Sequence, residues 1–170
     1  MEFYDVLRTR RSMRGYKPDP VPEAALDAIK EAIRLAPSGC NLQPFRFIFI
    51  KNEELRKKIA AYYPFGWLDQ PPVLIAAVGN ADMAWHRMDG DHESIIELDI
   101  GIAMEHVQLA ATAEGLNSCW IGAFPRKEVN ELLNVEAPWS VVALSALGYG
   151  AKNPAARPNK PDNELFEDID

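Results

Sequence analysis

Cysteine and histidine are scarce in these 170 residues: Cys40 and Cys119 of the first, His86, His92 and His106 of the second. The cysteines form no CxxC pair, so no disulfide framework follows from them, and both read as packing thiols in a reduced compartment. No apolar run reaches the length of a membrane span. The opening Met1-Glu2-Phe3-Tyr4-Asp5 carries acids where a secretory leader carries bases, and a cytoplasmic setting is expected. GxGxxG after the first strand, GxxxxGKS/T and GxSxG are all missing, which removes the common nucleotide loops and the nucleophile elbow. An excess of base is missing too. The net charge is −7 and the sequence pI about 5.0, which argues against a nucleic-acid binder, since that task needs a basic face.

What is present suits a globular chain: 48% hydrophobic and 25% charged residues. Length predicts one domain over 1–170. Residues 2–9 read as a short helix with Phe3, Val6 and Leu7 on one side. Residues 22–35 read as a stronger one, with Pro22 in its first turn and Leu26, Ile29 and Ile33 at helical spacing. "FRFIFI", 45–50, is a strand with its three phenylalanines facing one way, followed by a polar helix at 53–62. "PVLIAAVG", 72–79, is apolar throughout and reads as a strand covered on both faces. A loop at 80–93 leads to a long helix, 94–115, apolar around much of its circumference and therefore buried centrally or against another subunit. Strands at 117–124 and 140–150 enclose a short helix at 126–133. The proline-rich end, 154–170, reads as an extended arm. These elements predict an α+β fold, a mixed sheet flanked by helices.

The stretch "HRMDGDHE", 86–93, resembles a metal site only superficially, because Asp-Gly makes it a turn and the ligands lack helical spacing. No metal is expected there, and His106 reads as a hydrogen-bonded residue of the long helix. No acid–base dyad is visible from spacing, so no catalytic side chain is assigned. Any redox or transfer chemistry here calls for a cofactor.

The charge that stands out is "RTRRSMRGY", 8–16, with Arg8, Arg10, Arg11 and Arg14 in an acidic chain. In an extended backbone Arg10, Ser12 and Arg14 share a face, and Arg11 and Met13 point the other way. Two guanidinium forks and a hydroxyl on one face suit a phosphate, which they meet with paired charge-assisted hydrogen bonds. Arg157 and Lys160 in the arm form a second basic locus able to close on the same anion.

Taken in order, "RRSMRGY", "APSGCNLQPFRFIFI" (36–50), "GLNSCWIGAF" (115–124) and "ALGYG" with an arginine after it resemble the nitroreductase-like flavoproteins over residues 3–161. The resemblance implies a mainly antiparallel sheet flanked by helices, in an intertwined homodimer with FMN bound at the interface. It also implies a ping-pong transfer of electrons from NADH or NADPH to a small-molecule acceptor such as a quinone or nitroaromatic. Arg10, Arg11 and Ser12 would hold the FMN phosphate, and Arg14 the ribityl chain or the N1/O2 edge of the flavin. Pro37, Ser38, Gly39 and Asn41 would come from the neighbouring subunit to touch ring and ribityl. Trp120 and Ile121 would cover one flavin face, and the N–H of Gly122 would meet N5. Arg157 matches the family's late phosphate-binding base; of Asn159 and Lys160, either could stand at the second. The chain lacks a long inserted lid, which leaves Phe65, Trp67 and the loop around Trp85 for the acceptor side. Beside this reading stand a flavin-binding sensor without turnover, a specialised flavin chemistry such as dehalogenation or flavin destruction, and a phosphate-ligand domain without flavin.

Overall fold

The computed structural model describes residues 1–152 and 154–169. Its sheet has four strands, β1 (Phe45–Ile50), β2 (Val73–Asn80), β3 (Asn117–Ile121) and β4 (Trp139–Gly148), in the order β1-β2-β4-β3. Every neighbouring pair is antiparallel. The parallel part of the expected mixed sheet shrinks, among the described residues, to one isolated bridge between Ser12 and Ser118. All eight residues of β2 are buried, because helices cover both faces of a central strand.

The alternation along β1 sorts the core into two layers. Phe47 and Phe49 pack with Leu26, Ile29 and Ile33 of α2 (Glu23–Arg34) and Val107 of α4 (Ile96–Ala113), over Ile75 and Leu147. Ile48 and Ile50 point to the opposite face. There Ile59 of α3 (Glu53–Ala60) and Val129 of α5 (Arg126–Leu132) cover Leu74, Ala76, Val78 and Leu144. Asn52 caps α3, its side chain accepting from the Leu55 N–H at 2.8 Å.

Helix α1 (Phe3–Thr9) departs from expectation. Only Val6 is buried, while Phe3, Tyr4 and Leu7 stand exposed, so its predicted apolar side is not a core face of the protomer. The strand expected at 117–124 stops at Ile121, because the chain turns at Gly122, whose carbonyl accepts from the Phe124 N–H at 3.1 Å. The end of the chain runs over the surface with a single helical turn, α6 (Asp162–Leu165), and leaves Leu165, Phe166 and Ile169 exposed. No helix among the described residues is long and apolar enough to cross a membrane.

Helix α4 is the element about which the basic and the turn-bearing flanks of the protomer are arranged. Ile96, Ile100, Ala103, Met104, Val107 and Ala111 form its buried stripe. On the far side Leu98 and Ile102, one turn apart, are 56% and 40% exposed. This ridge divides two flanks. On one, Asp99 and His106 face the end of α2: His106 Nδ1 lies 2.8 Å from the Ala32 carbonyl oxygen. On the other, Gly101 lies under the Trp120 ring and Glu105 meets Arg10.

Candidate functional site

Past α1 the chain becomes extended and runs beside β3. The Met13 N–H donates to the Ser118 carbonyl at 2.9 Å, and the Lys17 N–H donates to that of Tyr149 at 2.8 Å. Met13 drops into the core, where the Tyr16 hydroxyl donates to its carbonyl oxygen at 3.1 Å. This anchoring sends the polar neighbours outward. Arg8, Arg10, Arg11, Ser12 and Arg14 all line one cleft of about 870 Å³, and the opposite wall is the C-terminal segment with Arg157 and Asn159. Five guanidinium groups thus converge from two ends of the sequence.

The arginines are not equivalent. Arg11 Nη1 donates to the carbonyl oxygens of Arg8 and Arg10 at 2.7 and 2.8 Å, so part of its fork closes the C-terminal end of α1. Arg10 sits 3.8 Å from Glu105 through Nε, a contact between half-exposed side chains that is worth little. Arg14 is exposed and has neither an ion pair nor a side-chain hydrogen bond among the described residues. Of the two candidates in the arm, Asn159 lines the cleft, whereas Lys160 is turned toward Glu164 at 3.3 Å. The second basic locus is therefore Arg157 without Lys160.

Beneath the arginine strand lies Cys119. Burial pushes its thiol up, although Arg14, a hydrogen bond with Ser12, and Arg10 pull it down; desolvation wins, and the group stays a thiol. Tyr16 is pushed up in the same sense by its burial. Neither group is poised as a nucleophile or base.

The segment from Pro37 to Gln43 occupies the other flank of α4. It is a tight 3₁₀ turn in which Cys40, Asn41 and Gln43 hold φ of 47°, 55° and 48°, the left-handed region that non-glycine residues seldom adopt. Internal bonds hold it there. The Gln43 N–H donates to Ser38 Oγ at 2.9 Å, and Gln43 Nε2 to the Asn41 carbonyl oxygen at 3.1 Å. At Gly39 a Cβ would stand 2.8 Å from both Trp85 Cβ and Ile95 Cδ1. Glycine is thus required here by the chain's own packing, and Trp85 is wedged against this turn.

The "CWIGAF" residues divide. Trp120 is 43% exposed over Gly101, and a Cβ at Gly122 would find nothing within 4 Å, so both are open to a ligand. Ile121 is 2% exposed and packs into the core opposite Leu144. Its side chain cannot cover a ring, because the pleat that exposes Trp120 turns Ile121 inward. Trp67 is corrected likewise: it is buried, stacked on Tyr16 at 6.1 Å and edge-on to Tyr63 at 5.3 Å, and serves the core. Phe65 remains exposed. In the acidic loop, His86 Nδ1 lies 3.0 Å from the Ala84 carbonyl oxygen and the Arg87 N–H donates to that of Glu93, which closes a turn.

One residue escaped the sequence reading. Asp99 is 1% exposed, its Oδ1 accepts from the Gly39 N–H at 2.9 Å, and its Oδ2 is buried with no partner among the described residues. The available signal was an acid at an inward helix position, sharing a stripe with Ile96 and Ala103 in "SIIELDIGIAMEHV".

Comparison with known proteins places the chain in a family. The family model described as the nitroreductase family matches residues 7–64 and 62–149. An FMN reductase [NAD(P)H] from Bacillus subtilis strain 168 is 33% identical, over 96% of this chain and 72% of that protein. A nitroreductase family protein from Clostridium novyi NT is 31% identical, covers 92% and 89% of the two chains, and superposes with a TM-score of 0.82. An FMN-dependent nitroreductase from Clostridium difficile R20291 is 26% identical over 96% and 98%, with a TM-score of 0.84. By sequence and by fold, the chain belongs to the nitroreductase family.

Proposed function

We propose that the protein is an FMN-dependent oxidoreductase that takes a hydride from NADH or NADPH and passes electrons to a quinone, nitroaromatic or related unsaturated acceptor. It works as a homodimer with two equivalent sites between the protomers. The observation that carries this reading is the cleft in which Arg8, Arg10, Arg11 and Arg14 meet Arg157, far apart in sequence and all cationic. An anionic cleft ligand fits that donor set, and a phosphomonoester uses the guanidinium geometry in full. The similar proteins named for FMN and NAD(P)H supply the rest of the ligand's identity.

In this reading Arg10, Arg11, Ser12 and Arg157 hold the phosphate, and Arg14 presents its unpaired guanidinium to the flavin N1/O2 edge, where positive charge favours the reduced state. Trp120 covers one face of the ring, and the open main chain at Gly122 meets N5. Pro37, Ser38, Gly39 and Asn41 of the partner subunit close the other side. The second copy is needed because the turn and the arginine cleft lie on opposite flanks of the Leu98–Ile102 ridge of one α4. Burying that ridge against its copy about a two-fold axis sets one protomer's turn against the other's cleft. The flavin, when bound, supplies the electron chemistry; the protein binds, orients and shields, and no side chain has to act as acid or base.

The test is the visible spectrum of the purified protein, followed by anaerobic titration with each nicotinamide. A yellow dimer bleached by NADH or NADPH is expected. Arg14→Ala should weaken FMN binding about tenfold or more, the worth of one charge-assisted contact. A colourless monomer, or an Arg14→Ala protein that holds FMN as tightly as the wild type, would overturn the assignment.

A further inference from the structure

Among the described residues, Asp99 is the one carboxylate that the fold takes almost wholly out of water. Such burial is costly unless the group is matched by donors. Its Oδ1 accepts from the Gly39 N–H at 2.9 Å, while Oδ2 has no partner among the described residues. A purely structural acid at this place would be out-competed by an apolar residue completing the α4 stripe. What it holds is the turn whose neighbours Cys40, Asn41 and Gln43 adopt left-handed backbone angles. From the opposite side Trp85 and Ile95 leave no room for a side chain on Gly39. The main chain at Gly39 is therefore clamped between a carboxylate and an indole.

We propose that Asp99 is the positioning residue of the cofactor-facing turn: its buried carboxylate fixes Gly39, and through Gly39 it sets where Ser38 and Asn41 meet the flavin across the dimer interface. This rests on the function proposed above, since the turn has a ligand to meet only if FMN binds between two copies. Asp99 itself touches neither cofactor nor substrate. It acts through one backbone N–H, in the first turns of α4, where the helix dipole favours a negative group. On its other flank the same helix carries Glu105 beside Arg10, so each α4 borders one half of each of the two sites.

Two variants of the full-length protein test this. Asp99→Ala removes the acceptor; Asp99→Asn keeps its shape and Oδ1 but not its charge. Two readouts are compared: the FMN dissociation constant, and the hydrogen-exchange rates of the Gly39 and Met13 amides measured by NMR in the apoprotein. Met13 donates to the Ser118 carbonyl on the other flank and reports the fold apart from the turn. The expected result for Asp99→Ala is FMN binding weakened about tenfold or more, faster exchange at Gly39, and unchanged exchange at Met13. Asp99→Asn should fall between it and the wild type. Should the alanine variant not fold, the asparagine variant decides, with about threefold weaker binding and faster Gly39 exchange as the supporting outcome. Unchanged Gly39 exchange, or loss of protection at Gly39 and Met13 together, overturns the proposal. A wild type that takes up no FMN overturns the proposed function instead, and Gly39 exchange against Met13 still decides what Asp99 holds.

Discussion

Tyr16 and Cys119 sit side by side under the arginine strand, and burial raises both pKa values. For each, the protonated form is the one the fold accommodates. The folded state then binds more protons than the unfolded chain once pH passes the ordinary value of the group, and stability falls as pH climbs. The contribution is complete below a thiol's usual pKa of about 8.5 and is lost as pH rises through the folded value; for Tyr16 the same loss begins above about 10. The melting temperature should thus decline along an alkaline limb starting near pH 8.5. Cys119→Ala should flatten the first part of that limb and leave the later tyrosine part, which differential scanning calorimetry across pH 7–10.5 would resolve. An unaltered limb in the variant would show that the thiol does not titrate there. Single residues were also where sequence reading reached its limit. That Arg10, Ser12 and Arg14 share a cleft while Met13 turns inward was legible from extended alternation, but Arg11, expected on the Met13 face, lines the same cleft. That Arg11 spends part of its fork on the end of α1, that Lys160 turns to Glu164, and that Trp67 is core all depend on contacts between distant segments.

At the scale of elements, apolar periodicity carried most of the architecture. The apolar run "PVLIAAVG" reads as a strand covered twice, and the strand that forms, Val73–Asn80, is buried throughout. The three phenylalanines of β1 face one layer because the pleat has a period of two. The order of the strands was not legible, since pairing β2 with β4 needs knowledge of which edges remain free. Nor was the closeness of α4 to β2, which depends on Gly79. A Cβ there would come within 2.6 Å of Ile96 Cγ1 and 2.8 Å of Ile100 Cδ1, both in the first turns of α4. Ile96 Cγ1 is near the root of a branched side chain and cannot swing away. Gly79→Ala should therefore destabilise the protein by about 1–3 kcal/mol, the usual cost of overpacking, read as a lower urea midpoint at unchanged slope. A variant as stable as the wild type would mean that α4 can lift from the sheet, and the placement of Asp99 and Glu105 on it would lose its rigidity.

The whole molecule carries apolar surface that one protomer leaves uncovered: Leu98 and Ile102 on α4, Phe3, Tyr4 and Leu7 on α1, Leu165, Phe166 and Ile169 in the terminal segment. Together with the proposed function, in which the turn and the arginine cleft lie on opposite flanks of the α4 ridge, this predicts that each binding site draws its arginines from one chain and its turn from the other. Subunit mixing tests that division directly. One variant, Arg10→Ala with Arg14→Ala, lacks the cationic side. Another, Gly39→Ala, displaces the turn, because the new Cβ stands 2.8 Å from Trp85 Cβ and Ile95 Cδ1. Each homodimer alone should bind FMN poorly at both sites. In a heterodimer carrying two different tags and purified on both, one site combines both lesions and the other combines intact arginines with an intact turn. Such heterodimers should recover about half of the wild-type FMN content per dimer, as two-fold symmetry requires of a site shared between chains. If each chain instead builds its site alone, every site in the heterodimer carries one lesion, and mixing restores nothing.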